Sequence, residues 1–142
     1  MNNNEIIELT KQIEKIINLY SNLDSDFKDI NRLITAKRKL TGYLYRFSVL
    51  VGDSLKDYND SYANRKSLTA QKVLDYIKNG ETQFKASLKA EIELKDIRLL
   101  EAKHESIYRR IKSQYDSLRD TLQSITQDIA TLKNELKSSV ND

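Results

Sequence analysis

Two stretches of this 142-residue chain repeat large, mostly apolar residues at alternating steps of three and four, one stretch near each end of the sequence. The first runs from Ile6 to Ile34 and the second from His104 to Leu136. This heptad spacing brings the repeated residues onto one face of an α-helix, where they form a narrow seam against another helix. The sequence therefore predicts two long helices that pack in a coiled-coil manner.

We expect the seam residues to hold helices together, either within one chain or between chains. In the N-terminal stretch they are Ile6, Leu9, Ile13, Ile16, Tyr20, Leu23, Phe27 and Ile30. In the C-terminal stretch they are Ile111, Tyr115, Leu118, Leu122, Ile125, Ile129, Leu132 and Leu136. The first seam is interrupted at Lys37 and resumes in a shifted register at Leu40, which indicates a local change in winding or in partner helix.

Turn-favouring residues divide the first part of this helical pattern. The chain has no proline and only three glycines, so long uninterrupted helices are allowed. We expect a long helix over residues 5–58 that is kinked near Gly52, because glycine weakens a helix interior. The Asn, Asp and Ser residues of 59–69 favour caps and turns, so this segment is predicted to be a connection.

The remaining segments complete the predicted fold. A short helix over 68–78 ends at Asn79 and Gly80, which tolerate a left-handed stop, and Thr82 caps a last helix over 83–138. Together the segments predict a single all-α domain over residues 1–142, with two long antiparallel helices forming a coiled-coil hairpin and the short helix at the turn. A two-helix hairpin buries little surface, so we expect a homo-oligomer.

The residues needed for familiar catalytic and metal sites are missing. The chain has no cysteine and a single histidine, His104, so it cannot form a Cys-rich or His-rich metal site. His104 lies on the predicted seam, where a packed, hydrogen-bonded histidine is expected. Neither a Walker A loop nor a Rossmann glycine motif occurs. We therefore expect a non-enzyme with no catalytic residue, no metal and no cofactor.

The sequence also indicates a cellular location. Its first residues do not combine a charged leader with an apolar run, so they do not resemble a secretory signal. No stretch approaches the roughly 20 apolar residues that span a bilayer. We expect a cytoplasmic protein of a bacterium or of a phage-infected host, with no membrane partner.

The positive charge lies in the middle of the chain. Residues 37–112 carry seventeen basic and ten acidic residues, whereas residues 1–36 and 113–142 are each net −2. Six of the eight tyrosines also lie in 37–112. In a hairpin the basic, tyrosine-rich middle would gather at one pole, away from both acidic ends.

This composition suits a surface for single-stranded nucleic acid, because cations neutralise phosphates and exposed aromatic rings stack on unpaired bases. The predicted phosphate contacts are Lys37, Arg38, Lys39, Arg46, Arg65, Lys66, Arg109 and Arg110, and the predicted stacking residues are Tyr43, Tyr45 and Tyr62. A second interpretation remains open. Basic runs on long helices often form a solvated face with i,i+4 acidic partners, and tyrosines at helical spacing often line a core.

Three segments resemble the UvsY-type recombination mediator proteins of large tailed phages. They are the basic-aromatic run over 37–47, the run over 84–91 that leads into a long helix, and the late segment over 122–129. Members of this family are small, helical and oligomeric, and they bind single-stranded DNA while helping to load a recombinase. The resemblance implies that the middle of this chain contacts the strand and that the C-terminal helix drives ring assembly.

The leading hypothesis is therefore an oligomeric, non-catalytic helical protein that binds single-stranded nucleic acid and acts with recombination or replication proteins. The alternative is a structural or adaptor protein, such as a phage virion component, a scaffold or an inhibitor of a host protein. In that case the basic middle would meet an acidic protein surface.

Overall fold

A computed structural model describes residues 3–21 and 29–139 of the chain. Within these two ranges the backbone forms four helices and contains no β-strand. The helices are α1 (Asn3–Ser21), α2 (Ile30–Lys78), α3 (Gln83–Glu93) and α4 (Lys95–Ser138). The predicted all-α class is thus confirmed, as is the packing of two long helices, α2 and α4, against each other.

The helices are distributed over two compact units. Unit 1 comprises the described residues within Met1–Val49 and Ser113–Asp142, and unit 2 comprises Leu50–Lys112. Unit 1 therefore contains α1, the first part of α2 and the later part of α4. Unit 2 contains the rest of α2, all of α3 and the beginning of α4.

Large aliphatic and aromatic side chains from three helices form the core of unit 1. Its buried apolar residues are Ile13, Leu33, Leu40, Phe47, Leu118, Leu122, Ile125 and Ile129. On α2 and α4 they recur at steps of three, four or seven, so each helix turns one continuous apolar face inward. Burial of such side chains is the main stabilising contribution, at about 1.5–3 kcal/mol each.

Small and polar residues make up much of the interior of unit 2. Its buried residues are Leu50, Ser54, Ser61, Ala86, Ala90, Leu94 and Ile111. The buried hydroxyls need hydrogen-bond partners, and each finds one on its own helix. Ser54 Oγ donates to the Val51 carbonyl at 3.1 Å, and Ser61 Oγ lies 2.9 Å from the Asp57 carbonyl. Ala86 and Ala90, four residues apart on α3, are fully buried and let this helix approach its neighbours closely.

In unit 2, α2 and α4 run antiparallel. Three side-chain contacts join them: Tyr58 with Tyr108, Ser61 with His104, and Arg65 with Glu101. As the residue number rises on α2, that of its partner falls on α4, which is the order expected of antiparallel helices. The hairpin geometry predicted for the two long helices is present in this unit.

The middle of α2 departs from the sequence prediction, because the helix continues through residues 59–69 without the expected connection. The helix is also not interrupted at Gly52. The predicted short helix over 68–78 is the last part of the same helix. Hydroxyl side chains that favour turns elsewhere bond here to carbonyls three or four residues earlier, as Thr69 does to Arg65 at 2.8 Å. Packing of the buried face offsets the weak helix propensity of these residues.

The N-terminal part also differs from the predicted helix over 5–58, because α1 and α2 are separate. Asp29 lies outside α2, and its Oδ1 accepts a hydrogen bond from the Asn31 backbone N–H at 2.9 Å. The Leu33 N–H also donates to the Asp29 carbonyl at 3.1 Å. Asp29 therefore caps the N-terminus of α2, a role in which its negative charge also favours the helix dipole.

A tight turn reverses the chain between α2 and α3. Gly80 has a φ of 89°, in the left-handed region that glycine adopts without strain, and the Glu81 N–H donates to the Tyr76 carbonyl. Thr82 then accepts a hydrogen bond from the Lys85 N–H and caps α3. The stop and the cap thus lie where the sequence placed them.

The predicted last helix over 83–138 is interrupted once, at Leu94. The Leu94 N–H donates to the Ala90 carbonyl at the end of α3, and the Arg98 N–H donates to the Leu94 carbonyl at the start of α4, both at 3.0 Å. Leu94 has a ψ of 19° and separates the two helices.

The seam residues have different environments. Ile13, Ile111, Leu118, Leu122, Ile125 and Ile129 are buried within one chain, and Ile30, Tyr115 and Leu132 are partly buried. Leu136 is exposed on the single chain, so a seam contact for it stays a prediction of pairing between chains. The side chains of Ile6, Leu9, Ile16 and Tyr20, and residues Leu23 and Phe27, lie outside the described parts of the structure.

Candidate nucleic-acid interface

One exposed face of α2 in unit 1 carries several of the predicted nucleic-acid contacts. Arg38, Lys39, Tyr45 and Arg46 are exposed, and we call these four residues the basic face. Residues seven or eight apart lie two helical turns from each other on the same side, so Arg38 precedes Tyr45 and Lys39 precedes Arg46 along this face. The ring of Tyr45 is 73% exposed, which leaves it open to stacking.

The three cations of the basic face have no acidic partner among the described residues. Their charge is therefore not offset by an ion pair there. On a helix, three cations within two turns repel each other slightly, and an anion that binds between them relieves that repulsion. This face is thus suited to a chain of phosphates.

Two other predicted contacts of unit 1 face the interior. Tyr43 is partly buried, and its hydroxyl donates to Gln12 Oε1 of α1 at 2.9 Å. Its ring helps to join α1 to α2 and is not presented for stacking. Lys37 is also partly buried, at a position of α2 between the core residues Leu33 and Leu40.

The predicted contacts of unit 2 are engaged with each other. Lys66 Nζ lies 4.8 Å from the centre of the Tyr62 ring, and the Arg65 guanidinium carbon lies 5.4 Å from it. Both contacts are cation–π interactions, in which the negative face of the ring attracts the cation. The Tyr62 ring also packs at 6.4 Å from that of Tyr58, which stacks on Tyr108 at 6.3 Å and 7°. Tyr62 is 37% exposed, but its ring is already in contact with these protein groups.

Two of the predicted phosphate contacts are paired with carboxylates. Arg65 donates hydrogen bonds to both carboxylate oxygens of Glu101, and this bidentate pair raises the pKa of Arg65 above its ordinary value. Arg109 donates to Glu105, one turn earlier on α4, at 2.6 and 2.9 Å, and its pKa is raised by the same cause. These pairs agree with the second interpretation of the basic runs, that of a solvated face with acidic partners.

Lys66 and Arg110 complete the predicted set in unit 2, and both are exposed. The structure thus divides the predicted contacts into two groups, one in each unit. In unit 1 the exposed members are Arg38, Lys39, Tyr45 and Arg46. In unit 2 Tyr62, Arg65 and Arg109 are already in contact with other side chains. Fewer of the predicted side chains in unit 2 are therefore available to bind a nucleic acid.

Val49 was not among the predicted contacts, but it extends the basic face. It is exposed, lies four residues after Tyr45 and offers an apolar surface of the kind that packs against a base or a sugar. Gly42, also exposed, lies between the two pairs of the face and opens space next to the backbone, since a Cβ there would touch nothing within 4 Å. Helical spacing from Tyr45 is the signal that identifies both residues.

A cleft of about 280 Å³ lies in unit 2. Its lining includes Arg65, Arg98, Glu91 and Glu101. These charges are paired within the protein, Arg65 with Glu101 and Arg98 with Glu91 at 3.6 Å. A cleft whose charges already neutralise one another offers little affinity for a charged ligand.

His104 is held in a structural contact. Its Nδ1 and Ser61 Oγ lie 3.2 Å apart, within hydrogen-bond distance, and Ser61 Oγ also lies 2.9 Å from the carbonyls of Asp57 and Tyr58. This contact agrees with the packed histidine expected on the seam. Among residues 3–21 and 29–139, no group of three or more His, Cys, Asp or Glu side chains is arranged to hold a metal ion.

Comparison of the chain with protein-family models, curated proteins and solved structures finds no match in any of the three. In the described part of the chain, no helix combines the length and the apolar character needed to cross a bilayer.

Proposed function

We propose that this chain is a non-catalytic, oligomeric helical protein that binds single-stranded nucleic acid through the basic face, as an accessory to phage-type recombination or replication. The observation that carries the proposal is the juxtaposition of Arg38, Lys39 and Arg46, none of them ion-paired with a described carboxylate, around the exposed ring of Tyr45. Cations with a neighbouring open aromatic ring are the elements that bind single strands without sequence preference.

The exposed ring of Tyr45 supports a single strand rather than duplex DNA, because the bases of a duplex are already stacked on one another. Arg38 and Arg46 are eight residues apart, about 12 Å along the helix axis. That distance spans roughly two nucleotides of an extended strand, and Tyr45 lies between the ends of this span. One base would stack on Tyr45 while the flanking phosphates contact the cations.

The role in recombination rests on the resemblance of residues 37–47 to the mediator proteins described above. Those residues include the whole basic face, so the segment that carries the resemblance and the segment that carries the exposed cations coincide. An accessory of this kind needs no catalytic residue.

The proposal is tested by fluorescence anisotropy with a labelled oligothymidine at about 50 mM salt and then at rising salt. Three phosphate contacts predict that log K falls with log salt at a slope of about −2 for a single strand. Combined Arg38→Glu, Lys39→Glu and Arg46→Glu substitutions should abolish binding. Absence of binding by the unsubstituted chain at about 50 mM salt would refute the proposal.

Two matched controls separate this site from general charge. Lys15→Glu, Lys133→Glu and Lys137→Glu change the net charge equally, at exposed lysines outside the basic face, and should retain most of the binding. Tyr45→Ala should weaken binding by roughly 5- to 150-fold, because stacking contributes about 1–3 kcal/mol per base. Tyr43→Phe should not, since the Tyr43 hydroxyl bonds to Gln12. Equal loss in both triple variants would contradict the assignment of the site.

The alternative function is that of an adaptor whose basic face meets an acidic protein surface. Val49 favours it, because an exposed aliphatic side chain beside cations is also found where proteins bind each other. In the same experiment an adaptor would show no oligonucleotide binding, and its complex with a protein would survive nuclease treatment.

A further inference from the structure

A glycine lies at the centre of the basic face. On a helix the nearest surface neighbours of a residue are those three and four positions before and after it. For Gly42 these neighbours are the four residues of the basic face, Arg38, Lys39, Tyr45 and Arg46. All four side chains are exposed, so they surround a position that has no side chain of its own.

Two common structural reasons for a glycine do not apply at Gly42. A glycine is favoured where the backbone has a positive φ, but among the described residues only Gly80 has one. A glycine is also favoured where another part of the protein comes close. Apart from the chain neighbours and the backbone of α2, no described atom lies within 4 Å of the place that a Gly42 Cβ would occupy. Because glycine destabilises a helix interior relative to alanine, Gly42 weakens α2 without improving its packing.

The charges around Gly42 favour a third reason, which is close approach of a ligand to the helix backbone. Three of its four neighbours are cations without a described ion pair, and the sequence has no acidic residue between Asp29 and Asp53. Gly52, ten residues later on α2, is also exposed and has the same open space. Its neighbours at the same spacing are Ser48, Val49, Leu55 and Lys56, of which one is a cation. An anion is therefore attracted to the surface at Gly42 more strongly than to that at Gly52.

The distances along α2 suit one phosphate at this point. Arg38 and Arg46 lie four residues before and after Gly42, which is about 6 Å along the helix axis in each direction. Tyr45 lies about 4.5 Å beyond Gly42, and the Cα–Cβ bonds of Tyr45 and Arg46 tilt back towards it. A phosphate over Gly42 is thus within reach of long cationic side chains from both directions, and the base of the same nucleotide is near the Tyr45 ring.

We propose that a phosphodiester group of the bound strand, with its sugar, lies directly over Gly42 against the backbone of α2. This inference rests on the proposed function and names the chemical group that the centre of the basic face binds. The three cations hold this phosphate and its neighbours, while the missing side chain lets the strand come close enough for one base to stack on Tyr45. A large side chain at position 42 would hold the strand away from the cations and from the ring.

Anisotropy titrations with the labelled oligothymidine test the proposal on Gly42→Leu, with Gly52→Leu as the matched control. Leucine favours a helix more than glycine does, so both substitutions should raise the thermal midpoint by about 2–4 °C, as measured by circular dichroism. Gly42→Leu should nevertheless weaken binding about tenfold or more, whereas Gly52→Leu should remain within about twofold of the unsubstituted chain. Binding by Gly42→Leu within about twofold, or an equal loss in both variants, would overturn the proposal.

Two further measurements separate a lost phosphate contact from an obstructed Tyr45 ring. Loss of one phosphate contact should make the slope of log K against log salt shallower by about 0.7 in Gly42→Leu, although the charge of the protein is unchanged. Gly42→Leu should also weaken binding when it is added to Tyr45→Ala, because the phosphate contact does not depend on the ring. An unchanged slope, or no further loss in the double variant, would contradict the phosphate assignment.

The same titrations distinguish a failure of this inference from a failure of the proposed function. The first case is that the unsubstituted chain binds, the combined Arg38→Glu, Lys39→Glu and Arg46→Glu variant does not, and Gly42→Leu binds normally. The basic face is then retained as the site, and the contact at Gly42 is wrong. The second case is that the unsubstituted chain does not bind, which refutes both proposals.

Discussion

The two units contain similar helices but bury different kinds of residue. Unit 1 fills its interior with leucine, isoleucine and Phe47, whereas unit 2 buries two serines and two alanines and relies on polar pairs such as Arg65–Glu101. Unit 2 also leaves Phe84 and Ile92 exposed to solvent. The comparison shows that helical spacing alone does not determine how apolar residues are used. In unit 1 they stabilise the fold, and in unit 2 several of them remain available for contact.

The largest expected effect is the loss of a core side chain in unit 1. Phe47 is 1% exposed, so Phe47→Ala should lower the free energy of unfolding by about 3–5 kcal/mol through lost burial and a residual cavity. Chemical denaturation measures this change. Val49→Ala, two residues later on the exposed side of α2, is the control and should cost under about 1 kcal/mol. Equal costs would mean that the unit 1 core is not the main source of stability.

A smaller effect is expected when unit 2 is overfilled. Ala90 has no exposed surface, so Ala90→Leu should lower the free energy of unfolding by about 1–3 kcal/mol, because the added atoms force neighbouring side chains apart. Ser87→Leu adds the same bulk on the exposed side of α3 and should have little effect on monomer stability. If Ala90→Leu instead raised the thermal midpoint, α3 would not be closely packed.

The smallest effect concerns an exposed ionic cluster of unit 2. Glu93 accepts hydrogen bonds from Lys72 and, at 2.6 Å, from the Tyr76 hydroxyl, and these partners lower the pKa of Glu93 below its ordinary value of 4.5. A lowered pKa in the folded state means that the stabilising contribution is complete above pH 4.5 and is lost as the pH falls through the folded-state pKa. The stability of the Glu93→Gln variant should therefore depend less on pH in this acidic range than the stability of the unsubstituted chain does.

Thermal unfolding between pH 2.5 and 6 measures that dependence, and the cluster is exposed, so the change should be small. Glu14→Gln, at an exposed carboxylate of α1 without a described ion pair, serves as the control. Identical pH profiles for Glu93→Gln and the unsubstituted chain would show that the cluster adds nothing to stability.

The sequence predicted best where the buried positions are apolar. On α4, Leu118, Leu122, Ile125 and Ile129 follow heptad spacing and are buried, because nothing else competes with burial of those side chains. On α2 the positions that face inward continue through Ser54, Tyr58, Ser61 and Arg65. Because these residues are not aliphatic, a pattern of apolar residues does not predict that they face inward. Their polar groups are satisfied by backbone carbonyls and by α4, and such tertiary contacts cannot be read from a local pattern.

The residues of the candidate site also differ in how far the sequence predicts their surroundings. Charge and tyrosine content predicted nucleic-acid contacts on both units, but they did not separate the exposed Tyr45 from the partly buried Tyr43, two residues earlier. That difference depends on Gln12 of α1, which lies 31 residues away from Tyr43 in sequence. Adjacent apolar residues posed the same difficulty, since Leu33 is fully buried and Ile34 is not.

The two units are expected to fold at different times during synthesis, because their contacts join residues at different separations along the chain. Unit 2 is one contiguous segment, Leu50–Lys112, and its α2–α3 contacts join residues only 17 to 21 positions apart, as in Tyr76–Glu93 and Lys72–Glu93. In unit 1, Thr10 bonds to Gln114, 104 positions later. Since nearby contacts close faster than distant ones, unit 2 is expected to fold while the ribosome is still translating, and unit 1 only after its last helix has emerged.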